Sequence, residues 1–475
     1  MAENYDVVAV GSGFVTTFFL HRYLEKAPRN ARVLILERGA RVPHADRVLN
    51  RGTLGEEEDN SYLNESAGEK PWIFSFGLGG TSQSWEASTP RMLPSDFRLQ
   101  TIYGVGADWP ISYNDLEESY CDAEDIMGVA GPSEDSPFPR SRPYPQRPHT
   151  FSLPDQTLKE ALPNHFFAAP SARPTESLSD RAKCCNSSVC TLCPVDAKFT
   201  ILNGMQSVLK DPRVRVRTGA EVTRIQVQNG VATGATYRTS SGETTANGDT
   251  VVLGANAIFN PFLLLKSGLD YGPVGEGLIE QYSSTFLLQL EDMDNFQGST
   301  ATTGHGYSLH DGPRRSEFAA GLIETSNRPE VQPVRGRWLQ FLRMKVIFED
   351  LRDVKNSVSV SSSDPDKPQV VFEGRSNYTQ RAIDATPLRI SNVIGALPVE
   401  RMRRVHYAHQ TESNNLGTTV MGTDPASSVV DEGSVHHQIR NLVVLGGSTF
   451  PTAAPANPTL TISALALFAA EKMFG

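Results

Sequence analysis

A buried strand that runs directly into a glycine turn and a helix is the feature that most constrains this chain's fold. Residues 6–10 form an apolar strand, Gly11–Gly13 makes the turn, and a helical pattern covers residues 14–25. A second strand pattern follows at residues 32–36. Strand, turn, helix and strand in this order predict a βαβ unit, and therefore a parallel sheet covered by helices.

The glycine turn also has the chemistry of a phosphate-binding loop. Gly11 permits the sharp turn, and Gly13 lets a pyrophosphate approach the backbone beside the free N–H groups of the next helix. Glu37 ends the second strand, where a carboxylate can accept hydrogen bonds from ribose hydroxyls. Such loops also occur as simple tight turns, but the βαβ context and Glu37 together favour dinucleotide binding.

The rest of the chain predicts a domain assembled from separated pieces. Strand patterns return after residue 200, and the last stretch has a buried strand at 441–445 and an apolar helix over about 458–474. Alternating strands at 357–360 and 369–372 predict an inserted antiparallel sheet. We expect a dinucleotide domain of residues 1–100, 200–275 and 405–475, and a second domain of residues 101–199 and 276–404.

Two segments are predicted to be irregular. The glycine-rich stretch at residues 77–82 suits a loop better than a helix or strand. Residues 132–180 are rich in proline, serine and arginine, and this composition predicts a long surface excursion that acts as a lid or loop.

Charge and hydropathy exclude several classes of protein. The chain carries 54 acidic and 44 basic residues, a net charge of −10, so a nucleic-acid ligand is not expected. No apolar run approaches the ~20 residues that a membrane span needs. The N-terminus has no basic stretch before an apolar core, so we expect no signal peptide and a cytoplasmic location.

Four of the five cysteines fall within ten residues, at Cys184, Cys185, Cys190 and Cys193. A structural disulfide framework would spread its cysteines along the chain, so this clustering indicates a local site. Thiolates at this spacing suit an iron–sulfur cluster or zinc. A local disulfide, such as one joining Cys185 and Cys190, and free thiols are the alternatives.

Three motifs carry a resemblance to a known family: GGTSQSW at residues 79–85, LGGSTFPT at 445–452 and ANPTLT at 456–461. Together with the first glycine turn, they resemble the glucose–methanol–choline (GMC) flavoprotein oxidoreductases, most of all the pyranose oxidase-like and sugar dehydrogenase branches. The resemblance implies a Rossmann-like α/β FAD-binding domain with a parallel sheet. It also implies an inserted α+β substrate domain built on an antiparallel sheet.

The resemblance implies FAD as the cofactor, with the N-terminus of the last helix against the flavin ring. Pyranose oxidases can carry a histidine, covalently bonded to the flavin, directly before the tryptophan of the loop. Here that residue is Ser84, so we expect FAD to be held without a covalent bond. The residues expected to contact FAD are Gly11, Gly13, Phe14, Glu37, Arg38, Gly80, Thr81, Ser84, Trp85, Val222, Gly447, Pro458 and Thr459.

The family's catalytic pair implies two further site residues. Asn457 would orient the substrate oxygen, whereas Asn414 stands where the family has a histidine, and an amide can hold a hydroxyl but cannot take its proton. His406 and His409 lie just upstream and are candidate bases, although single histidines also occur commonly as structural residues. Glu86 on the flavin-facing loop is a third candidate base.

The resemblance implies oxidation of a sugar or glycoside alcohol to the carbonyl by hydride transfer to flavin N5, with oxygen or another acceptor. The cysteine segment resembles that of sugar dehydrogenases that carry a three-iron cluster, although one spacing here is a residue shorter. An iron–sulfur dehydrogenase subunit that passes electrons to a partner is therefore one alternative. A flavin-binding protein that has lost its base is another.

Overall fold

The computed structural model describes residues 4–50, 60–66, 70–296, 298, 300–328, 336–337, 339–409 and 412–475. The strands are β1 Asn4–Val10, β2 Val33–Leu36, β3 Leu63–Asn64, β4 Phe166–Ala168, β5 Val214–Arg217, β6 Glu221–Gln228, β7 Val231–Thr239, β8 Gly242–Leu253, β9 Tyr282–Leu290, β10 Thr302–Leu309, β11 Gly321–Ser326, β12 Phe341–Phe348, β13 Ser357–Val360, β14 Pro368–Val371, β15 Val399–His406 and β16 Leu442–Val444. The α-helices are α1 Phe14–Lys26, α2 His44–Leu49, α3 Leu99–Tyr103, α4 Tyr113–Met127, α5 Leu153–Ala161, α6 Ile201–Gly204, α7 Gln206–Leu209, α8 Asn256–Lys266, α9 Asn377–Arg389, α10 Ser391–Ile394 and α11 Thr459–Phe474.

The first sheet has seven strands and a parallel centre. Strands β5, β2, β1 and β8 are parallel neighbours, and β16 pairs in parallel with the end of β8. The first half of β8 instead forms an antiparallel hairpin with β7, which pairs with β6. The whole of β2 is buried, as expected for a parallel strand that is covered on both faces.

Helices α1 and α11 pack together against this sheet. Phe19 and Tyr23 of α1 make edge contacts with the ring of Phe474, at the end of α11. Helix α4 packs beside α11, where the Tyr120 hydroxyl lies 2.8 Å from the Thr461 hydroxyl. The beginning and the end of the chain therefore share one core.

The second sheet has six antiparallel strands in the order β15-β9-β12-β11-β10-β4. The combination of a parallel α/β sheet and an antiparallel sheet confirms the predicted fold class. Strand β4 comes from the proline-rich segment 132–180, so the prediction of a surface excursion there is wrong. Residues 166–174 are buried, because the apolar run at residues 166–169 pairs along β10.

Two smaller predictions hold only in part. Strands β13 and β14 pair antiparallel with each other, as the alternation predicts, but they form a separate three-stranded sheet with β3. An alternating pattern indicates a half-buried strand without naming its partner. The glycine-rich stretch 77–82 is partly regular, because residues Gly80–Gln83 form a 3₁₀ helix.

The parallel strands of the first sheet end at one edge, and this edge positions the site. Strands β1, β2, β8 and β16 are followed there by residues 11–13, 37–39, 254–256 and 445–447. Ligands of open α/β sheets bind outside the carboxyl ends of the strands. The antiparallel sheet contributes lining residues from β9, β10, β11 and β12 to the same cavity.

Candidate active site

A cavity of about 800 Å³ lies at this edge. Ligand pockets have volumes of roughly 300–1,000 Å³, so it could hold a cofactor together with a small substrate. Every residue expected from sequence to contact a dinucleotide lines it. So do four of the five candidate catalytic residues, Asn414, Asn457, His409 and Glu86.

The glycine turn opens the N-terminus of α1 to the cavity. Gly11 has a φ of 85°, and a Cβ there would lie 2.6 Å from the carbonyl oxygen of Gly254, so a larger residue does not fit. A Cβ on Gly13 would meet no atom within 4 Å, and no side chain caps the helix at Gly13. The first N–H groups of α1 are thus available to an anion such as a phosphate.

Glu37 holds the loops around this turn. Its Oε2 accepts hydrogen bonds from the Ser12 hydroxyl at 2.6 Å and the Ser12 N–H at 3.1 Å. Its Oε1 accepts from the N–H groups of Gly39 and Gly77 at 2.8 and 3.2 Å. Burial raises the pKa of the Glu37 carboxyl despite these bonds. Glu37 therefore fixes the glycine turn, and the ribose contact expected of it stays a prediction.

Arg38 and Val222 line the same end of the cavity. The Arg38 guanidinium lies 4.3 Å from the centre of the Phe76 ring and 3.5 Å from a carboxylate oxygen of Glu221. This arrangement provides a flat, partly apolar surface beside a charge, which suits a stacked aromatic ligand.

The glycine-rich loop forms another wall of the cavity. Gly80, Thr81, Ser84 and Trp85 line the cavity, with the Trp85 indole 4.8 Å from the Phe14 ring. The Trp85 indole N–H donates to the carbonyl oxygen of residue 199 at 2.8 Å, which fixes the ring. The wall is therefore built against the first turn of α1.

A second helix N-terminus faces the cavity at its far end. Gly447, Pro458 and Thr459 line it, and Pro458 begins α11 with no side-chain cap. Free N–H groups at a helix start stabilise nearby negative charge. The cavity thus joins two uncapped helix N-termini, one beside the glycine turn and one beside Asn457.

Gln281 links Asn414 to the segment that carries Asn457. The fully buried Gln281 accepts a hydrogen bond from Asn414 Nδ2 on its Oε1 at 2.7 Å. Its Nε2 donates to the carbonyl oxygens of Ala454 and Ala456, the latter at 2.8 Å. Asn457 accepts from the hydroxyl of Ser88 at 2.9 Å. The two asparagines are therefore held by a common brace.

Glu280 holds the backbone of the Asn414 segment. Its Oε1 accepts from the N–H groups of Glu412 and Asn414, both at 2.9 Å. Its Oε2 pairs with the buried ammonium of Lys70. A fully buried carboxylate is stable only when it is paired and hydrogen-bonded in this way. Sequence reasoning missed both Gln281 and Glu280, because they lie far from Asn414 along the chain.

Comparison with known proteins identifies the family. Residues 353–466 match the family model described as GMC oxidoreductase. The chain is 26% identical to the fructose dehydrogenase large subunit of Gluconobacter japonicus over 98% of this chain and 97% of the relative. The chain therefore carries a GMC oxidoreductase domain, as the sequence motifs predict. It is also 28% identical to the 6'''-hydroxyparomomycin C oxidase of Streptomyces lividus, over 98% of this chain and 90% of the relative.

The fold of this GMC oxidoreductase is shared with solved structures. Pyridoxine 4-oxidase from Mesorbium loti superposes with a TM-score of 0.70 at 16% identity, covering 99% of each chain. The predicted family, enzyme class and fold are thus confirmed. Within the described residues, every helix is too short or too polar to cross a bilayer.

Of the candidate bases in this GMC oxidoreductase, the two histidines lie next to each other but differ in exposure. Their rings are 4.2 Å apart, yet His406 is exposed and does not line the cavity. His409 is half-buried, with its Nε2 2.9 Å from the Thr285 hydroxyl. Burial lowers the pKa of His409, and the neighbouring His406 lowers it further, although Glu412 opposes the shift.

Glu86 lies on the cavity wall in an ion pair. Its carboxylate is 2.8 Å from the Arg328 guanidinium and 3.3 Å from the Thr191 hydroxyl. Burial alone would raise the pKa of Glu86, but the Arg328 charge outweighs it and holds this pKa below the usual range. A carboxylate stabilised in this way is a weak base.

Sequence reasoning also missed a group of charges on the antiparallel sheet of this oxidoreductase. Glu324 of β11 and Lys345 of β12 are cross-strand partners, and both line the cavity beside Glu412. The available signal was a charged residue directly beside buried apolar residues, as in LIE at 322–324 and MKVI at 344–347. Buried charges are costly, so such positions indicate function.

The cysteine segment lies beside the flavin-facing loop but forms no metal site among the described residues. No group of three or more His, Cys, Asp or Glu side chains that could hold a metal ion is found there or elsewhere in the described ranges. The five cysteines, all of which lie within these ranges, form no disulfide. The iron–sulfur prediction for Cys184, Cys185, Cys190 and Cys193 is therefore not supported.

Lys198 connects that segment to the loop. Its buried ammonium donates to the carbonyl oxygens of Trp85 and Thr191, both at 2.7 Å, and of Gln83 at 3.3 Å. Burial lowers the pKa of Lys198 to about 7. Cysteine spacing could not reveal this link, because it consists of backbone carbonyls.

Proposed function

We propose that this protein is an FAD-dependent enzyme that oxidises an alcohol of a sugar or glycoside to the carbonyl. The observation that carries the proposal is the single cavity that joins two uncapped helix N-termini to Asn414 and Asn457. Two relatives, a fructose dehydrogenase large subunit and a hydroxyparomomycin oxidase, favour a sugar or glycoside as the substrate.

The residues fit FAD. The open N-terminus of α1 suits the pyrophosphate, and the flat surface at Arg38 suits the adenine. Asn415 Oδ1 is a buried acceptor that lines the cavity and has no hydrogen-bond partner in the described part of the chain, which leaves it available to a ligand. The N-terminus of α11 would lie against the flavin ring. Ser84 offers no histidine nitrogen, so we propose non-covalent binding.

FAD, when bound, supplies the acceptor for the hydride of the alcohol carbon. The protein then has to hold the hydroxyl and accept its proton. We propose that Asn414 and Asn457 hold the hydroxyl oxygen, because both amides line the cavity and are braced there. We propose His409 as the base, because it lines the cavity and because its lowered pKa favours the neutral imidazole, which is the form that accepts a proton.

The other two candidate bases are less suited to this role. His406 is exposed and lies outside the cavity lining, so it would act on His409 through ring contact. Glu86 is ion-paired with Arg328, which lowers its basicity. We also propose that the first sheet carries the FAD-binding segments 1–100, 200–275 and 405–475, and that the remaining segments bind substrate.

A second candidate is a dehydrogenase that passes electrons to a partner protein rather than to oxygen. The relative named a fructose dehydrogenase large subunit favours it, because a large subunit implies a companion chain. The same cavity would serve both reactions, so the difference lies in the electron acceptor.

The test begins with the visible spectrum of the purified protein and with release of the chromophore by acid. We expect flavin bands and free FAD in the supernatant. Anaerobic addition of D-fructose, D-glucose or paromamine should then bleach the flavin, and reoxidation by oxygen or by a dye separates oxidase from dehydrogenase. A protein that binds FAD but bleaches with none of these sugars would be a flavin-binding protein that has lost its base. Failure to bind added FAD would reject the proposal.

A further inference from the structure

Lys345, Glu324 and Glu412 form an ion triad at the substrate end of the cavity. Lys345 Nζ lies 2.8 Å from Glu412 Oε2 and 3.4 Å from Glu324 Oε2. The two carboxylate side chains are 9% exposed, whereas that of Lys345 is 30% exposed. Because all three line the cavity, the exposed part of Lys345 faces the space where a ligand would lie.

Glu324 and Lys345 stabilise each other's charged forms. Burial would raise the pKa of Glu324, but Lys345 and the neighbouring His305 hold it at about 2. Burial would lower the pKa of Lys345, but the two carboxylates raise it above its usual value. Two carboxylates against one ammonium leave a negative charge unmatched within the triad.

A purely structural triad would have no need to border the cavity. Replacing a buried ion pair by packed apolar side chains is commonly neutral or stabilising, so stability alone does not explain why the charges are present. Lys345 has three N–H donors and the two carboxylates take two of them. Each carboxylate oxygen can accept more than one hydrogen bond. The triad thus has a Lys345 N–H donor and carboxylate oxygen acceptors that can still form hydrogen bonds with a ligand in the cavity.

We propose that Lys345, Glu324 and Glu412 form a subsite for two neighbouring hydroxyl groups of the substrate; this rests on the proposed function. A hydroxyl both donates and accepts, so one can accept from Lys345 while the next donates to a carboxylate of Glu412 or Glu324. A vicinal diol, the repeating unit of a sugar ring, presents this pair. A simple mono-alcohol presents only one of these two hydroxyl groups.

The subsite lies next to the reacting alcohol. Glu412 and Asn414 are two residues apart, so their Cα atoms are separated by no more than about 7 Å, and the Glu280 carboxylate fixes both backbone N–H groups. One sugar ring can therefore place its reacting carbon at the asparagines and its neighbouring hydroxyls at the triad. The substrate class that follows is a polyhydroxylated ring.

The test compares trans-1,2-cyclohexanediol with cyclohexanol, which differ by one hydroxyl. Binding is measured by calorimetry to holoenzyme that dithionite has reduced, because reduced enzyme cannot oxidise either ligand. We expect wild type to bind the diol about 10- to 100-fold more tightly, as for hydrogen bonds to charged groups. Lys345→Met and Glu412→Gln should each remove most of this preference and leave cyclohexanol binding within about threefold.

Lys355→Met is the matched control. Lys355 is exposed and lies 3.8 Å from Glu373 on the surface, away from the residues that line the cavity, so the preference for the diol should persist. Glu412→Gln keeps the shape of the side chain, so the inference can still be tested with this variant if Lys345→Met does not fold. Wild-type enzyme that binds both ligands equally, or neither, would overturn the inference, as would a folded variant that keeps the preference. Sugar-dependent bleaching of the flavin in that same wild type would show that the proposed function survives.

Discussion

Replacing Gln281 by leucine tests whether the brace between the two asparagines controls the reaction. Leucine has a similar volume but makes no hydrogen bond. The change removes the acceptor of Asn414 Nδ2 and the donor to the carbonyl oxygens of Ala454 and Ala456. The Asn414 side chain would be free to rotate, and the segment before Asn457 would lose its hydrogen bonds to residue 281.

The magnitudes follow from these bonds. Each buried polar group that loses its partner costs about 1–3 kcal/mol. Water can reach Asn414 from the cavity, so we count the two carbonyl groups and expect the free energy of unfolding to fall by about 2–6 kcal/mol. A displacement of about 1 Å at the reacting group can lower kcat about 100-fold, which corresponds to about 2.7 kcal/mol in the barrier.

The assay separates the two effects. Urea unfolding of the holoenzyme gives the stability, and anaerobic flavin bleaching by the active sugar gives kcat and KM. We expect kcat to fall much more than KM rises, because the rest of the polar lining still binds the sugar. Gln289→Leu is the control, in strand β9, which begins directly after Gln281: the Gln289 side chain donates to Glu400 at the exposed surface, so both quantities should change little.

The conservative variant Gln281→Glu refines this test. The glutamate side chain can still accept a hydrogen bond from Asn414. Its second carboxylate oxygen, however, would be repelled by the carbonyl oxygens of Ala454 and Ala456. We expect a kcat between those of wild type and Gln281→Leu. If Gln281→Leu loses stability but keeps kcat, the brace is structural and our reasoning about the asparagine pair is wrong.

Three further results are expected. The rate of flavin reduction should fall as pH drops through a pKa below the usual 6.5 of histidine, and His409→Gln should be slow and lose this acidic limb in a stopped-flow pH series. The folded-state pKa of Lys198 is lowered to about 7, below the unfolded 10.5, so the unfolded chain binds more protons between these values and stability should rise with pH. The rise between pH 7 and 9 should be on the order of 2 kcal/mol, and Lys198→Met should abolish it in urea titrations. Glu280→Gln leaves the buried Lys70 without a charged partner, so thermal and urea unfolding should show a loss of about 3–5 kcal/mol. An unchanged profile or stability in any of these variants would contradict the corresponding assignment.

The parts of the fold that sequence predicts are those whose signals are local. The strand, glycine turn and helix at residues 4–26 follow one another directly, so their pattern is read from contiguous residues. The same is true of the last strand and helix, β16 and α11. The residues of these segments that are expected to contact a ligand line one cavity, because parallel strands end at one edge of the sheet.

The parts that sequence missed depend on distant partners. Strands β13 and β14 have the alternating pattern of any half-buried strand, and the pairing of β14 with β3 depends on contacts between segments that are distant in the sequence. Strand β4 lies in a proline-rich segment, where composition outweighed a short apolar run. Gln281 bonds Asn414 and Lys345 bonds Glu412, and both of these partners lie more than fifty residues away along the chain.

Strand β16 and helix α11 complete both the first sheet and the cavity wall that faces Asn457. The glycine turn near residue 11 and its counterpart at Pro458 lie at distant positions along the chain. A nascent chain therefore cannot bring the two anion-attracting helix ends together until the segment that contains Pro458 and α11 has been synthesised. A ligand that needs both helix ends should accordingly bind only after these segments have folded against each other.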